Sequence, residues 1–413
     1  MMRRVVITGM GTVNSIGLDV ATTWNHALHG TSGIGPITQF DASDLQVRIA
    51  CEIKGFDPSR TISTRLARRT DLFQQYALAA THEALQQSGL EIIEGNAERV
   101  AVVISTAVGG LISLEDAFEV LAHSGARRLS PFVIPKFMPN GASSMVAIET
   151  GAKGPCYSLA SACASGADSI GQAWLLLKAG IADAAIAGGS EATVCRIGIA
   201  TFDRVGALSR RNDPPYRTPS PFDAQRDGLV MGEGAGIIVL ETLEHAERRG
   251  AEVLAELIGY AATTDAYHIT APSEEGEGGA AAISGAMVSA GLAPEEIDYI
   301  NAHGTGTRLN DTAETRAIKK ALGEHAHHVP ISSTKSMTGH MMGATGALEG
   351  IFCVQSIREN ILPPTIHLHD PDPECDLDYV PLEAREHDVH VAMSNAFGFG
   401  GHNAVLAFRE FSG

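Results

Sequence analysis

Short runs rich in β-branched residues recur along the chain, at residues 5–8, 100–105, 237–240, 297–302 and 389–394, with alanine-rich stretches of helical spacing between them. That alternation constrains the fold more than any other feature. Strands interleaved with helices build an α/β architecture whose sheets are largely buried. Several helices have readable ends. Residues 65–85 carry Leu66, Leu72, Phe73, Tyr76, Ala80 and Ala84 at broadly helical spacing, which predicts one helix stopped by Gly89. Ile170, Ala173, Trp174 and Leu177 follow Cys163 at i, i+3, i+4 and i+7, and Gly180 ends that run. Asp311 and Glu314 have the N-cap-to-N3 spacing of a capping pair, with Gly323 closing the helix.

The chain has 413 residues, enough for two or three domains or one large duplicated fold. Ser161-Ala162-Cys163-Ala164-Ser165-Gly166-Ala167 is echoed by Thr338-Gly339-His340-Met341-Met342-Gly343-Ala344-Thr345-Gly346-Ala347. Each places a reactive residue at a loop-to-helix junction, followed by small residues. Either the chain is duplicated and divides near residue 250, or these are two ordinary small-residue helix starts.

Forty-eight acidic residues against 30 Lys and Arg give a formal net charge of −18, which argues against a nucleic-acid binder working by bulk charge. No apolar run approaches a membrane span, and the apolar stretch near the start breaks at Thr8-Gly9 without a cleavage site. The six cysteines form no CxxC pair, so the expectation is reduced thiols in the cytoplasm, mostly small buried hydrophobes.

Cys163 stands out among them, with Ala162, Ala164, Ser165, Gly166 and Ala167 all small. At a helix N-terminus the dipole and free N–H groups lower a thiol's pKa and can hold an oxyanion. The competing reading is a buried structural thiol. His303, in Asn301-Ala302-His303-Gly304-Thr305-Gly306-Thr307, follows a strand-like run, where α/β folds place chemistry. It is either a site residue or a solvated histidine in a turn. His340 opens a helix, which disfavours imidazolium and leaves a neutral ring to donate or accept a proton. Lys335 adds positive charge nearby, and Glu349 is placed to pair with it or orient a neighbour.

Other motifs read more weakly. Phe397-Gly398-Phe399-Gly400-Gly401-His402 is either a mobile loop with a bulky stopper or a tight inter-strand turn. Gly9-Met10-Gly11 lacks the third glycine of a dinucleotide fingerprint. The clusters His325, His327 and His328, His367 and His369, and His387 and His390 lack helical metal-ligand spacing and read as solvated surface. Arg65, Arg68 and Arg69 fall at i, i+3 and i+4 of the expected helix, a local positive patch on an acidic chain.

In order along nearly the whole chain, these segments resemble the β-ketoacyl-acyl-carrier-protein synthases, the condensing enzymes of fatty-acid synthesis, and within them synthase II. Val6 to Gly11, Ser161 to Gly166, Gly188 to Ala192, Pro221-Phe222-Asp223, Arg226-Asp227-Gly228, Gly232 to Gly236, Asn301 to Thr307, Ser333 to Gly343 and Asn395 to Asn403 carry the likeness. It implies a thiolase-like fold with a duplicated five-layered αβαβα architecture. Residues 1–250 would form the half with the nucleophile, and residues 251–413 the half with two histidines.

The resemblance also implies roles. Cys163 is the nucleophile that takes the acyl chain, and His303 and His340 stabilise the enolate left when malonyl-carrier protein loses CO₂. Lys335 and Glu349 order that network, and Phe399 is a gate whose N–H joins that of Cys163 as oxyanion donor. Thr270, Thr305 and Thr307 line the phosphopantetheine arm, while Val108 and Phe202 line the acyl pocket. Arg65, Arg68 and Arg69 dock the acidic carrier protein. The family works as cytoplasmic homodimers without cofactor or metal. Ser105-Thr106-Ala107-Val108 departs from the usual Gly-Thr-Gly-Ile, and Gly206 replaces an arginine of the docking surface. Two alternatives share much of the pattern: a ketosynthase of a specialised polyketide or polyene pathway, and a non-catalytic chain-length partner. The partner lacks the nucleophile that Cys163 supplies.

Overall fold

The computed structural model describes residues 3–413, so Met1 and Met2 of the N-terminal stretch lie outside it. Ten strands form the main sheet: β1 (Val5–Asn14), β2 (Val100–Ser105), β3 (Cys156–Tyr157), β4 (Ala184–Glu191), β5 (Gly234–Thr242), β6 (Ala255–Thr264), β7 (Tyr299–Asn301), β8 (Ile331–Ser332), β9 (Val391–Gly398) and β10 (His402–Arg409). Their order is β8-β7-β9-β10-β6-β1-β5-β4-β2-β3. The first five strands therefore run 3-2-4-5-1, and the last five repeat that order. The senses repeat as well. β2 is parallel to β3 and β4, β5 is antiparallel to β4 and β1, and the same holds for their counterparts. The two sets join only where Val6 and Ile7 pair with Glu256 and Ala255.

Seven helices matter for the site: α1 (Leu72–Ser88), α2 (Leu111–Ser124), α3 (Gly141–Thr150), α4 (Ser165–Lys178), α5 (Glu277–Ala290), α6 (Arg308–Leu322) and α7 (Thr345–Glu359). α1 and α3 cover the outer face of the first strand set, and α5 and α6 that of the second. α4 and α7 pack together between the sets, completing five layers. Every residue from Thr345 to Ile357 is buried, as a helix sandwiched between two strand sets must be.

The inner helices echo one another. A short 3₁₀ turn precedes each, Ala162–Ala164 before α4 and Met342–Ala344 before α7. Ala162 and Met342 share an unusual positive φ of 51° and 45°. A Cβ on Gly166 would meet Ala347, and one on Gly346 would meet Ala167, so the contacts are reciprocal too. The counterpart of Cys163 in this repeat is Gly343, and His340 lies three residues before it.

Two readings need correction. The helix expected over residues 65–85 is broken. A short helix at Thr64–Ala67 ends at Arg68, Asp71 accepts the N–H of Phe73, and α1 starts afresh. Arg65, Arg68 and Arg69 are all exposed but do not share one continuous helical face. The Gly9–Gly11 run is interior to β1, where Cβ atoms would fall 2.1 and 2.0 Å from carbonyl oxygens of α1, so these glycines let helix and strand approach. Cys156 is exposed on the edge strand rather than buried, whereas the other five cysteines are buried.

Candidate active site

Cys163 sits in the 3₁₀ turn that feeds α4, and its side chain is 8% exposed. Its own N–H and that of Phe399 both approach the sulfur. The expected low thiol pKa is not found. Burial outweighs the two N–H groups and the charge of Lys335, and pushes the thiol up to about 11. Desolvating a thiolate costs more here than the start of one helix returns.

His303 leaves the C-terminal end of β7 on a tightly held loop. Glu314 accepts the backbone N–H groups of His303 and Gly304, each at 2.7 Å, and Asn395 Nδ2 at 3.1 Å. Asp311 accepts from Phe222 N at 2.9 Å and Gly306 N at 3.2 Å, and lies 3.6 Å from Arg226. The capping-pair reading of Asp311 and Glu314 is thus corrected. The helix starts earlier, at Arg308, with Thr307 as N-cap. That shift turns both carboxylates inward as struts for the His303 loop. Their signal in the sequence was two acids among the alanines and isoleucine of a core-facing helix side.

His340 follows the short helix Lys335–Thr338 and Gly339, whose φ is 68°. Its backbone is clamped at both ends, N–H to Val230 O at 2.7 Å and O from Gly232 N at 2.9 Å. Its ring Nδ1 accepts the Met342 N–H at 3.2 Å and lies 3.1 Å from Thr345 Oγ1. With Nδ1 occupied as an acceptor, the ring proton resides on Nε2. The two imidazoles meet edge to face, 5.4 Å between centroids. Burial, followed by the Lys335 charge, holds both rings well below the usual histidine range, so both are neutral. The neutral state was expected for His340, but desolvation is its principal cause.

Lys335 is fully buried and its Nζ pairs with Glu349. Burial pushes the Glu349 carboxyl up to about 8 against the pull of that lysine. The pair stands behind the histidines and does not line the cavity. The second-half segment is also tied to the first half through buried Glu191, which accepts from Ala107 N at 2.7 Å and Gly343 N at 3.0 Å.

One cavity of about 310 Å³ brings together Cys163, His303, His340, Phe202, Phe399, Thr270, Thr305 and Thr307. The Phe397–His402 segment resolves as a tight turn between β9 and β10, with Gly400 and Gly401 at φ 84° and 74°. Phe399 at its tip stacks on Phe202, centroids 6.4 Å apart. Thr305 and Thr307 share a hydrogen bond of 2.9 Å. Val108 does not line this cavity. It lies on the loop after β2, its N–H directed to Glu191 at 3.4 Å. Arg65, Arg68 and Arg69 lie outside it, Arg69 resting over the Phe132 ring. Arg127 and Arg128, absent from the sequence reading, are exposed just before Phe132.

Among the described residues, the outlying histidine clusters gather no metal-ligand set. The sole group of donors that does is Cys163, His303 and His340, within 4.8 Å of one another. Cysteine and histidine donors suit zinc. The positive charge of Lys335, which already suppresses protonation of both rings, works equally against a dication there.

Two family models match the chain: Beta-ketoacyl synthase, N-terminal domain, over residues 2–246, and Beta-ketoacyl synthase, C-terminal domain, over residues 254–369. The chain is 49% identical to the 3-oxoacyl-[acyl-carrier-protein] synthase 2 of Synechocystis sp. over 409 residues, covering 99% of this chain and 98% of that one. Its structure resembles the ishigamide ketosynthase/chain length factor, with a TM-score of 0.93, 38% identity and full coverage of both chains. It also resembles a type II PKS ketosynthase solved with its acyl-carrier protein, with a TM-score of 0.91, 33% identity and full coverage of both.

Proposed function

The chain belongs to the β-ketoacyl synthase family, and from that premise we propose that it is a 3-oxoacyl-[acyl-carrier-protein] synthase of the second type, an acyltransferase that elongates fatty acyl chains. One observation carries the reading: a cysteine sulfur flanked by two backbone N–H groups, within 4.8 Å of two neutral imidazoles.

Three steps follow. In the first, the sulfur of Cys163 attacks the thioester of an acyl-carrier protein. The N–H groups of Cys163 and Phe399 stabilise the oxyanion. The carrier leaves as its thiol, taking the proton that Cys163 gives up. Because the resting thiol is protonated, attack and proton loss are linked to substrate entry rather than prepared in advance. In the second step, malonyl-carrier protein occupies the cavity and its C–C bond to the carboxylate breaks. CO₂ departs, and the electron pair becomes an enolate held by the Nε2–H of His340 and by His303. In the third, the enolate carbon attacks acyl-Cys163, the C–S bond breaks to release a 3-oxoacyl-carrier protein longer by two carbons, and the departing sulfur takes one proton from solvent. Covalent loading separates the two halves of the reaction and keeps the acyl chain from water.

The surroundings fit. Phe399 stacked on Phe202 is placed to gate the acyl chain, and Arg65, Arg68 and Arg69 supply positive charge for an acidic carrier. A homodimer accounts for the exposed apolar side chains Phe118, Leu121, Ile134 and Ile148, which lie on and between α2 and α3 near the open edge strand β3. A second copy over that face would also border the loop of Val108 and complete the acyl pocket. Among the described residues no helix is long and apolar enough to cross a membrane, and action in the cytoplasm is part of the same proposal.

The test is intact-mass spectrometry after mixing the protein with octanoyl-carrier protein. One acyl mass should appear, mapped to Cys163, and malonyl-carrier protein should discharge it as a 3-oxo product. An absent adduct, or one on another cysteine, sinks the assignment.

A further inference from the structure

The wall of the cavity that carries His303 continues outward through Thr305 and Thr307 to Arg308, and exposure rises along it. His303 and Thr305 are each 4% exposed, Thr307 is half-buried and Arg308 is exposed. A ligand whose reactive end meets His303 therefore has its far end at Arg308. Resting on the carrier-thioester reading above, we propose that Arg308 binds the phosphate at the outer end of the substrate's pantetheine arm.

Three observations support this. Arg308 is the single arginine lining the cavity, and at its mouth it stands beside Leu309 and Pro272. It also lines the neighbouring surface groove together with Arg226 and Arg316. Those two are committed. Arg226 binds Asp372 and Asp311, and Arg316 binds Glu374 at 3.0 Å. Among the described residues Arg308 has no carboxylate partner for its guanidinium. Asp372, whose carboxyl its charge helps hold down, is already bonded to Arg226. Two acids line the same cavity: Asp227 faces Arg211 at 3.4 Å, and Asp265 accepts from Ser273 N at 3.0 Å and Asn403 Nδ2 at 2.7 Å. An unpaired guanidinium on a chain of net charge −18 is a conspicuous site for an anion, and its fork of donors matches phosphate oxygens. The backbone ties at this position, Arg308 O accepting Arg226 Nη2 at 3.1 Å and Thr312 Oγ1 at 3.2 Å, survive any substitution that keeps the main chain.

The phosphate comes either on the carrier protein or on free phosphopantetheine, and the experiment separates the two. The acyl donors are octanoyl-carrier protein, octanoyl-phosphopantetheine and octanoyl-pantetheine, the last without phosphate. Wild type is compared with Arg308→Ala and Arg308→Lys, with thermal melting as the control for folding. Arg308→Ala should raise KM for both phosphorylated donors about ten- to a hundredfold, with kcat and the KM for octanoyl-pantetheine unchanged. Arg308→Lys should recover part of the loss. An equal loss on all three donors, no loss on any, or a loss confined to the carrier protein overturns the proposal. In the last case Arg308 touches the carrier's surface rather than the phosphate. A wild-type protein inert toward every donor would instead refute the synthase reading, so the two failures are distinct.

Discussion

The backbone N–H of Met342 donates to Nδ1 of His340 over 3.2 Å, which leaves the imidazole's proton on Nε2. The residue that fixes the tautomer is the one held at a positive φ of 45° in the turn before α7. His340 is thereby a hydrogen-bond donor to a developing enolate. His340→Ala should lower condensation about 10²- to 10³-fold, the cost of one oxyanion donor. Acylation of Cys163, followed separately by mass, should persist. Equal loss of both would move His340 into the loading step.

Burial holds the Cys163 thiol at about 11, so little thiolate exists in the free protein near neutrality. Alkylation by iodoacetamide should rise nearly tenfold per pH unit from 7 to 10 without levelling. A plateau below pH 8 would show an activated thiolate at rest and remove the link between substrate entry and proton loss.

Both imidazoles titrate well below the usual range, and the charge of Lys335 contributes to that. The acid limb of kcat should therefore lie well under pH 6.5. Lys335→Met should move it to higher pH, because the rings regain proton affinity when the cation is gone. It should also destabilise the protein by about 1–3 kcal/mol, by leaving the buried Glu349 carboxyl without its hydrogen-bond partner. Adding Glu349→Met should restore most of the stability but not the pH profile. Denaturant melts and pH–rate curves on the same variants read both.

Glu314 accepts two hydrogen bonds from the His303 loop and a third from Asn395 of β9. Glu314→Gln replaces one acceptor oxygen with an amide donor facing a donor. The expected cost is about 1–3 kcal/mol in urea unfolding, together with a fall in kcat. An unchanged kcat in a folded variant would mean that the His303 loop does not depend on that strut.

The carrier-docking proposal predicts a salt effect. KM for acyl-carrier protein should climb with ionic strength, and reversing Arg65, Arg68 and Arg69 to Glu should raise it further while flattening the dependence. Turnover of free octanoyl-pantetheine should respond to neither change.

Much of the fold was legible where β-branched residues mark strands. Residues 100–105 coincide with β2, and Gly180 and Gly323 end their helices where they were read. β4 was missed because Ala184–Glu191 is mostly alanine and glycine, shaped by helices pressing on both sides rather than by strand propensity. Cys163, His303 and His340 were readable as motifs, and the structure brings the three into one cavity. Glu314, Asp311 and Arg226 were not read as part of the site, since their roles arise from carboxylates turned toward a loop distant in the chain from Arg226. The thiol's protonation was misjudged because a helix start is visible in sequence, whereas the depth of burial is not.

Gly343 stands where the repeat would put a second Cys163, and there is no volume for one. A Cβ on it would fall 2.4 Å from Ala107 N and 2.9 Å from a Glu191 oxygen. Two frameworks of the same plan thus meet back to back, and only one of them has room for a nucleophile. Steric exclusion breaks the molecule's inner symmetry and limits each chain to a single acyl attachment point at that junction, however alike its halves become.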